Sequence, residues 1–311
     1  MSNSTIFRRT FVCFVVALLS TTAQAQLFRS YVSSTGNDAN PCTVQAPCRL
    51  LPAALAAVKD GGEVWMLDSA NYNTSPVVIT KSVSILAIPG ALGSVVGSTG
   101  DAIEINTAAV NVTLRNLKIL NFSGGQNGIH MTNGASLKVE GCEIAGFAAG
   151  WPYAGIRVST PAKVTIVDTI VRDNFVGIWF DNGAQGDIAR TTVVGNSYVG
   201  IWGFPTVNST VTVTVTDSIS SNNQWGIYAS GYAGRTTKMT VSRSTAAHNS
   251  RDGFGADMTA DASMTVSGSV ASNNLHGFLQ SGQAIFRSLG DNTVFDNGED
   301  MFGTIVVVTP K

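Results

Sequence analysis

A nine-residue segment recurs eight times along the chain, and this repeat constrains the fold more than any other feature of the sequence. The copies are residues 114–122, 139–147, 166–174, 188–196, 215–223, 241–249, 266–274 and 289–297. Successive copies end 22 to 27 residues apart, and Gly-Ile or Gly-Phe follows most of them. Self-similarity at such a period is typical of solenoids, in which each repeat contributes one coil.

Each repeat has the pattern of short strands and turns. Val, Ile and Thr alternate with polar residues, and Gly, Asn, Asp and Ser interrupt them. One such unit cannot bury its own apolar face, but stacked coils can, with each strand pairing in parallel with its equivalent in the next coil. The sequence therefore predicts an all-β fold, a right-handed parallel β-helix, with equivalent residues about 4.8 Å apart.

The ninth position of the later repeats is always Asn. Stacking aligns these residues in one interior column, where side-chain amides can bond along the stack and satisfy buried turn groups. A role shared by successive coils is structural rather than catalytic. The predicted Asn ladder comprises Asn174, Asn196, Asn223, Asn249, Asn274 and Asn297.

The first 62 residues differ from the repeats. Arg8 and Arg9 precede an apolar run and a small-x-small site ending at Ala25, which predicts a cleaved signal peptide over 1–25. Residues 26–62 are predicted to form an N-terminal cap, with a short helix over 50–59 that closes the end of the β-helix spanning 63–311. The chain should be secreted or periplasmic, without membrane insertion of the mature part.

Export places the cysteines in an oxidising compartment. Cys42 and Cys48 lie six residues apart between two prolines, far from any His, so a disulfide is favoured over a metal site.

Two parts of the chain resemble a known group. The coils from about residue 100 to 300 resemble right-handed parallel β-helix proteins of the pectate-lyase-like superfamily. The segment Tyr31 to Cys42, with Pro47-Cys48-Arg49 and Gly61-Gly62-Glu63-Val64, is similar to the start of many exported bacterial members. That superfamily includes polysaccharide lyases, hydrolases, epimerases and non-catalytic adhesins, and the resemblance implies that any site lies on the outer face of one parallel sheet.

Charge excludes one class of partner. Lys and Arg total 19 against 20 Asp and Glu, so the chain has no basic surface for nucleic acid. We expect a monomer that needs no cofactor.

In the Gly-Ile-x strands the residue x points outward. Trp179, Trp202 and Tyr228 occupy this position in three consecutive coils, and with Arg157 and Asp181 they predict an exposed ladder for a sugar chain. Tyr198, two residues before its Gly, is a further candidate for substrate binding. Two alternatives remain open: a loop such as 152–154 or 204–208 covers the ladder as a satellite core, or the ladder is a protein interface.

Catalytic signals are weaker. Arg157, Asp181 and His130 on nearby coils could supply the base and the cation that a uronate lyase needs. No acidic cluster suited to Ca²⁺ is visible, and hence no metal is predicted. Hydrolysis needs paired carboxylates and, by resemblance, a Gly-His-Gly segment, to which Leu275-His276-Gly277 is the nearest match. His248 and His276 are interpreted as solvated turn residues.

The sequence thus predicts an exported β-helix that binds polysaccharide or glycan on its Gly-Ile-x face, with catalytic competence open. The alternatives are a polysaccharide lyase or epimerase acting on uronate-containing polymers, and a non-catalytic structural protein or adhesin.

Overall fold

The chain winds through three parallel β-sheets that enclose one apolar core. The computed structural model describes residues 26–309, so the predicted signal peptide lies outside the described residues. Strands of successive coils pair in parallel in all three sheets. The predicted all-β parallel β-helix is therefore confirmed.

The first sheet has twelve strands, Leu27–Val32, Val58–Met66, Val83–Ala87, Asn111–Arg115, Ser136–Glu140, Lys163–Val167, Gln185–Ala189, Ser209–Thr216, Arg235–Ser242, Ala262–Ser267, Ile285–Ser288 and Ile305–Val307. The second has ten, Ala70–Asn71, Gly93–Gly97, Leu117–Asn121, Glu143–Ala145, Ile170–Arg172, Thr192–Val194, Ile219–Ser221, Thr245–Ala247, Val270–Ser272 and Thr293–Phe295. The third, named the Gly-Ile-x sheet, has ten, Val77–Ile79, Ile103–Ile105, Ile129–Met131, Ala154–Val158, Val176–Phe180, Val199–Gly203, Trp225–Gly231, Asp252–Met258, His276–Gln280 and Glu299–Phe302.

Equivalent residues of successive coils stack on one another. In the Gly-Ile-x sheet the residue after each Gly points inward and is fully buried, and pairing places these side chains in one column: Ile129, Ile156, Ile178, Ile201, Ile227, Phe254 and Phe278. Burial of each such side chain contributes roughly 1.5–3 kcal/mol to folding. Because successive side chains of a strand point to opposite faces, the residue that follows each member of this inward column points to the outer face.

The predicted Asn column forms a continuous chain of hydrogen bonds. From Asn196 onward, each Oδ1 accepts both the backbone N–H and the side-chain amide of the preceding ladder residue, as in the two 2.9 Å bonds from Asn196 to Asn223. The bonds continue to Asn297, whose Oδ1 accepts from Asn274 at 3.0 Å. The ladder thereby satisfies polar groups that the turns bury.

The N-terminal end is closed by the only helix of the described residues, Leu51–Ala57. It buries Leu51, Ala54 and Leu55 against the core, and ends two residues earlier than predicted because Val58 already begins a strand. Cys42 and Cys48 are buried beside it and form the predicted disulfide, a bond typical of proteins outside the cytosol.

Candidate functional site

The outward column of the Gly-Ile-x sheet has the register predicted from the repeat. Neighbouring strands pair Arg157 with Trp179, Trp179 with Trp202, and Trp202 with Tyr228. The rings of Trp179 and Trp202 are stacked, with centroids 5.2 Å apart. Residues far apart in sequence are thus direct neighbours on this face.

The expectation that this ladder is exposed is wrong. Trp179 is 0% exposed, Trp202 5% and Tyr228 7%. Two loop residues cover it: the Trp151 ring lies 5.0 Å from that of Trp179, and the Phe204 ring lies 4.6 Å from that of Trp202. The arrangement matches the alternative in which loops cover the ladder as a satellite core.

The polar atoms of the ladder are also occupied. The Trp179 indole N–H donates to the Phe204 carbonyl at 2.9 Å, and the Trp202 indole N–H donates to Ser230 Oγ at 3.0 Å. A buried indole needs such a partner, so these bonds fix both rings and the loop at Phe204.

The three candidate lyase residues belong to two separate networks. Asp181 is fully buried and accepts hydrogen bonds from the backbone and hydroxyl of Thr206, at 2.6 and 3.0 Å. The Arg157 guanidinium lies 4.1 Å from the centre of the Trp179 ring and reaches Asp181 only at 3.5 Å. His130 instead contacts Asp101, through Nδ1 at 2.7 Å. These contacts do not bring Arg157, Asp181 and His130 together around an open site.

Asp101 is held ionised by its partners. Burial alone would raise the pKa of Asp101, but hydrogen bonds from His130 and Asn127 outweigh burial and lower it. A carboxylate of this kind orients the imidazole of His130.

Open space on the Gly-Ile-x face lies beyond the ladder, toward the C-terminal coils. A cleft of about 370 Å³ is lined by Tyr198, Trp225, Tyr228, Asp252, Asp257 and His276, among others. The outward position of the coil beside Tyr228 is Gly255, and a Cβ there would lie 2.1 Å from Tyr228 Cε2. The Tyr228 ring lies over this glycine and occupies the space that a side chain there would need.

A chain of three polar side chains forms one wall. Asp252 and His276 are paired on neighbouring strands, and Asp252 Oδ1 lies 2.6 Å from His276 Nδ1. The Tyr228 hydroxyl donates to Asp252 Oδ2 at 3.0 Å. Burial, and next the charge of Asp252, raise the pKa of Tyr228, so its phenol stays protonated and continues to donate.

His276 was interpreted as a solvated turn residue, and this is wrong. It begins the strand His276–Gln280, and its side chain is 16% exposed. The strand pairing with Asp252 places the imidazole in the cleft rather than in solvent.

A second carboxyl group, Asp257, stands on the same strand as Asp252. Its Oδ1 is buried, and no described residue gives it a hydrogen bond. Burial raises the pKa of Asp257; the Ser230 hydroxyl opposes this shift and the charge of Asp252 adds to it. Burial, and next the charge of Asp257, also raise the pKa of Tyr198 across the cleft. Asp257 is therefore more readily protonated than an ordinary Asp.

This shift has a consequence for stability. Because the pKa of Asp257 is higher in the folded chain than in the unfolded chain, protonation of Asp257 favours folding. This stabilisation is fully present below the unfolded-state carboxyl pKa of about 4 and is lost as the pH rises through the folded-state pKa. We expect Asp257→Asn to raise Tm by about 2 °C or more at neutral pH, and to leave it unchanged at about pH 3.5. Differential scanning calorimetry of Asp257→Asn, with Asp291→Asn at an exposed position outside any strand as control, measures this. An equal effect at both pH values would contradict the assignment.

Sequence reasoning missed Trp225 and Asp252 and placed His276 in a turn. All three immediately precede the Gly of their coils, a position that was not treated as a column. In the three coils before Trp225 this position is apolar, namely Ala154, Val176 and Val199, and the later change to Asp252 and His276 was the available signal.

Over residues 26–309, no group of three or more His, Cys, Asp or Glu side chains is placed to hold a metal ion. In the same range no helix has the length and apolar character required to cross a membrane.

Comparison with known proteins agrees with the architecture. Residues 101–233 match a family model described as a right handed beta helix region. A search of curated proteins gave no match.

Several solved structures share the fold. Pectate lyase Pel9A aligns with a TM-score of 0.63 over 92% of this chain and 78% of its own, at 15% identity. An alginate lyase from Paenibacillus sp. str. FPU-7 has a TM-score of 0.62 over 90% of this chain and 100% of its own, at 14% identity. The GH136 lacto-N-biosidase from Eubacterium ramulus has a TM-score of 0.58 over 90% of this chain and 68% of its own, at 11% identity. Identities this low show the fold alone. The chain is therefore a right-handed parallel β-helix protein that shares its fold with pectate lyase Pel9A.

Proposed function

We propose that this protein is exported and binds glycan chains on the outer face of its Gly-Ile-x sheet, in the cleft beyond the buried ladder. The observation that carries the proposal is the mixed lining of the cleft, where the partly exposed rings of Tyr198 and Trp225 stand beside His276 and Asp257. Sugars present apolar C–H faces and polar hydroxyl edges, and such a lining complements both.

The aromatic side chains form a row along the coils. The rings of Phe175 and Tyr198 are parallel with centroids 5.2 Å apart, and those of Tyr198 and Trp225 are 4.6 Å apart, edge to face. All three are partly exposed, unlike the covered ladder beside them. The Arg251 guanidinium lies 5.4 Å from the centre of the Trp225 ring and adds a donor at the rim. The row suits an extended chain more than a compact ligand.

Two further observations support the class of ligand and the location. The pectate lyase and the alginate lyase that share this fold are named for polysaccharide substrates. The Cys42–Cys48 disulfide and the predicted signal peptide favour a compartment where such polymers occur.

Binding is tested with soluble polygalacturonate, alginate, galactan and xylan, by isothermal titration and affinity electrophoresis. We expect at least one polymer to bind, and Trp225→Ala to weaken its affinity by about tenfold to a hundredfold, because the ring loses its stacking and burial against the sugar. Phe122→Ala is the matched control, since Phe122 is an aromatic residue that is 83% exposed and is not part of the cleft.

The proposal is overturned if no polymer binds, as for an adhesin that recognises protein, or if Trp225→Ala and Phe122→Ala have the same affinity as the unmodified chain. Circular dichroism of each variant separates loss of binding from loss of fold.

A further inference from the structure

The cleft carries more chemistry than binding requires. A buried carboxyl oxygen without a partner and a His held by a buried Asp stand on adjacent coils of one face. We propose that the cleft is a catalytic site for glycoside hydrolysis, in which Asp257 donates a proton to the glycosidic oxygen and His276, positioned by Asp252, takes a proton from water. This inference rests on the proposed function, because the glycan must first occupy the cleft.

Asp252 and Tyr228 position the base. The short contact between Asp252 Oδ1 and His276 Nδ1, 2.6 Å, places the imidazole proton on Nδ1 and leaves Nε2 as a proton acceptor. No hydrogen bond within residues 26–309 engages Nε2. The hydroxyl of Tyr228 holds the other oxygen of Asp252 at 3.0 Å, so Asp252 is fixed from two sides.

Asp257 has the surroundings of a proton donor. A buried carboxylate oxygen with no partner is costly, and protonation removes that cost. Burial raises the pKa of Asp257, as a general acid that works near neutral pH requires. The next residue, Met258, has φ of +79°, a conformation that a bulky side chain rarely adopts. Such strain next to a cleft residue is typical of functional sites.

The charges of the cleft favour hydrolysis over elimination. The Asp252 carboxylate contacts the base, Asp257 lines the same cleft, and the cation Arg251 lies against the Trp225 ring. Elimination needs a cation against the uronate carboxylate, whereas the charge of Asp252 would repel that carboxylate. The substrate class is therefore a glycan whose cleaved residue is uncharged.

The step balances with water as the only co-reactant. The Asp257 O–H bond breaks and its proton goes to the glycosidic oxygen, while the C1–O bond breaks and its electron pair stays with that oxygen. The water oxygen forms the new bond to C1, and its proton goes to His276 Nε2. Proton exchange with solvent returns Asp257 and His276 to their starting forms.

The experiment measures release of reducing ends from neutral galactan and xylan oligosaccharides, together with absorbance near 235 nm, for the full chain. We expect Asp257→Asn and His276→Gln to lower the rate about 10²- to 10⁴-fold, while affinity changes less than about threefold. Phe122→Ala should keep the unmodified rate. Asp257→Asn should cleave 2,4-dinitrophenyl glycosides of the same sugar at close to the unmodified rate, because that leaving group needs no proton. A residue with only a structural role would lose both activities together.

The outcomes separate the two proposals. Binding without cleavage by the unmodified chain overturns this inference and leaves the proposed function standing. Absorbance near 235 nm instead of hydrolysis, or full activity in Asp257→Asn on oligosaccharides, also overturns it. Failure of any polymer to bind overturns the proposed function and this inference together.

Discussion

Asn223→Leu is expected to lower the free energy of unfolding by about 3–5 kcal/mol. In the native chain Asn223 Oδ1 accepts the backbone and side-chain N–H groups of Asn196, each at 2.9 Å. Its Nδ2 donates to the Val193 carbonyl at 3.2 Å and to Asn249 Oδ1 at 3.2 Å. Leu has a similar size but leaves these buried groups unpaired, and each unpaired group costs about 1–3 kcal/mol.

Urea unfolding followed by circular dichroism measures the loss. The control is Asn222→Gly, one residue away, because Asn222 is exposed, lies outside the ladder and has φ of +54°, which Gly adopts easily. We expect this control to change stability by less than about 1 kcal/mol. A similarly small effect of Asn223→Leu on the free energy of unfolding would show that the hydrogen bonds between ladder amides contribute little to stability.

Trp179→Ala is expected to cost about 3–5 kcal/mol of stability, as large-to-small changes of buried aromatic residues do. Trp179 is 0% exposed, and its ring stacks on Trp202 and carries the Arg157 guanidinium on its face. Its indole N–H also holds the carbonyl of Phe204. The substitution leaves a cavity and releases the covering loop.

Chemical denaturation and glycan titration, carried out on the same samples, test this role. We expect folded Trp179→Ala protein to bind glycan with at least a third of the unmodified affinity, since the ring does not line the cleft. Trp151→Ala is the matched control: its ring contacts the same ladder but is 55% exposed, so its loss should cost less than that of Trp179. If Trp179→Ala were as stable as the unmodified chain and failed to bind, the ladder itself would be the ligand surface.

Most of the fold could be predicted because the pattern that determines it is local and repeats with every coil. The repeat places Ile178, Ile201 and Ile227 in one inward column, and strand alternation then fixes the next residue as outward. The ladder bond from Asn196 to Asn223 follows from the same register. The Cys42–Cys48 disulfide followed from the short separation of the two residues in a chain that the sequence predicts to be exported.

The candidate site was predicted less well because exposure is not periodic. The outward direction of Trp179 and Trp202 was correct, but Trp151 and Phe204 lie in loops between the repeats, and their paths obey no register. Asp181 was likewise read as a surface carboxylate, although Thr206 from one of these loops covers it. The alternation of residues along a strand predicts the direction in which a side chain points, but it does not predict which loop covers that side chain.

The amino-acid sequence alone determined the coil, its register, the Asn ladder and the outer face of the Gly-Ile-x sheet, because parallel stacking converts repeat spacing directly into contacts. Only the tertiary structure decided where that face is open. Loop residues bury its centre, and a cleft stays open beside Tyr228, whose ring occupies the space over Gly255. There Asp252 contacts His276 of the adjacent coil and Asp257 lines the same cleft, and the opening of that cleft depends on how loops of unequal length pack on the sheet.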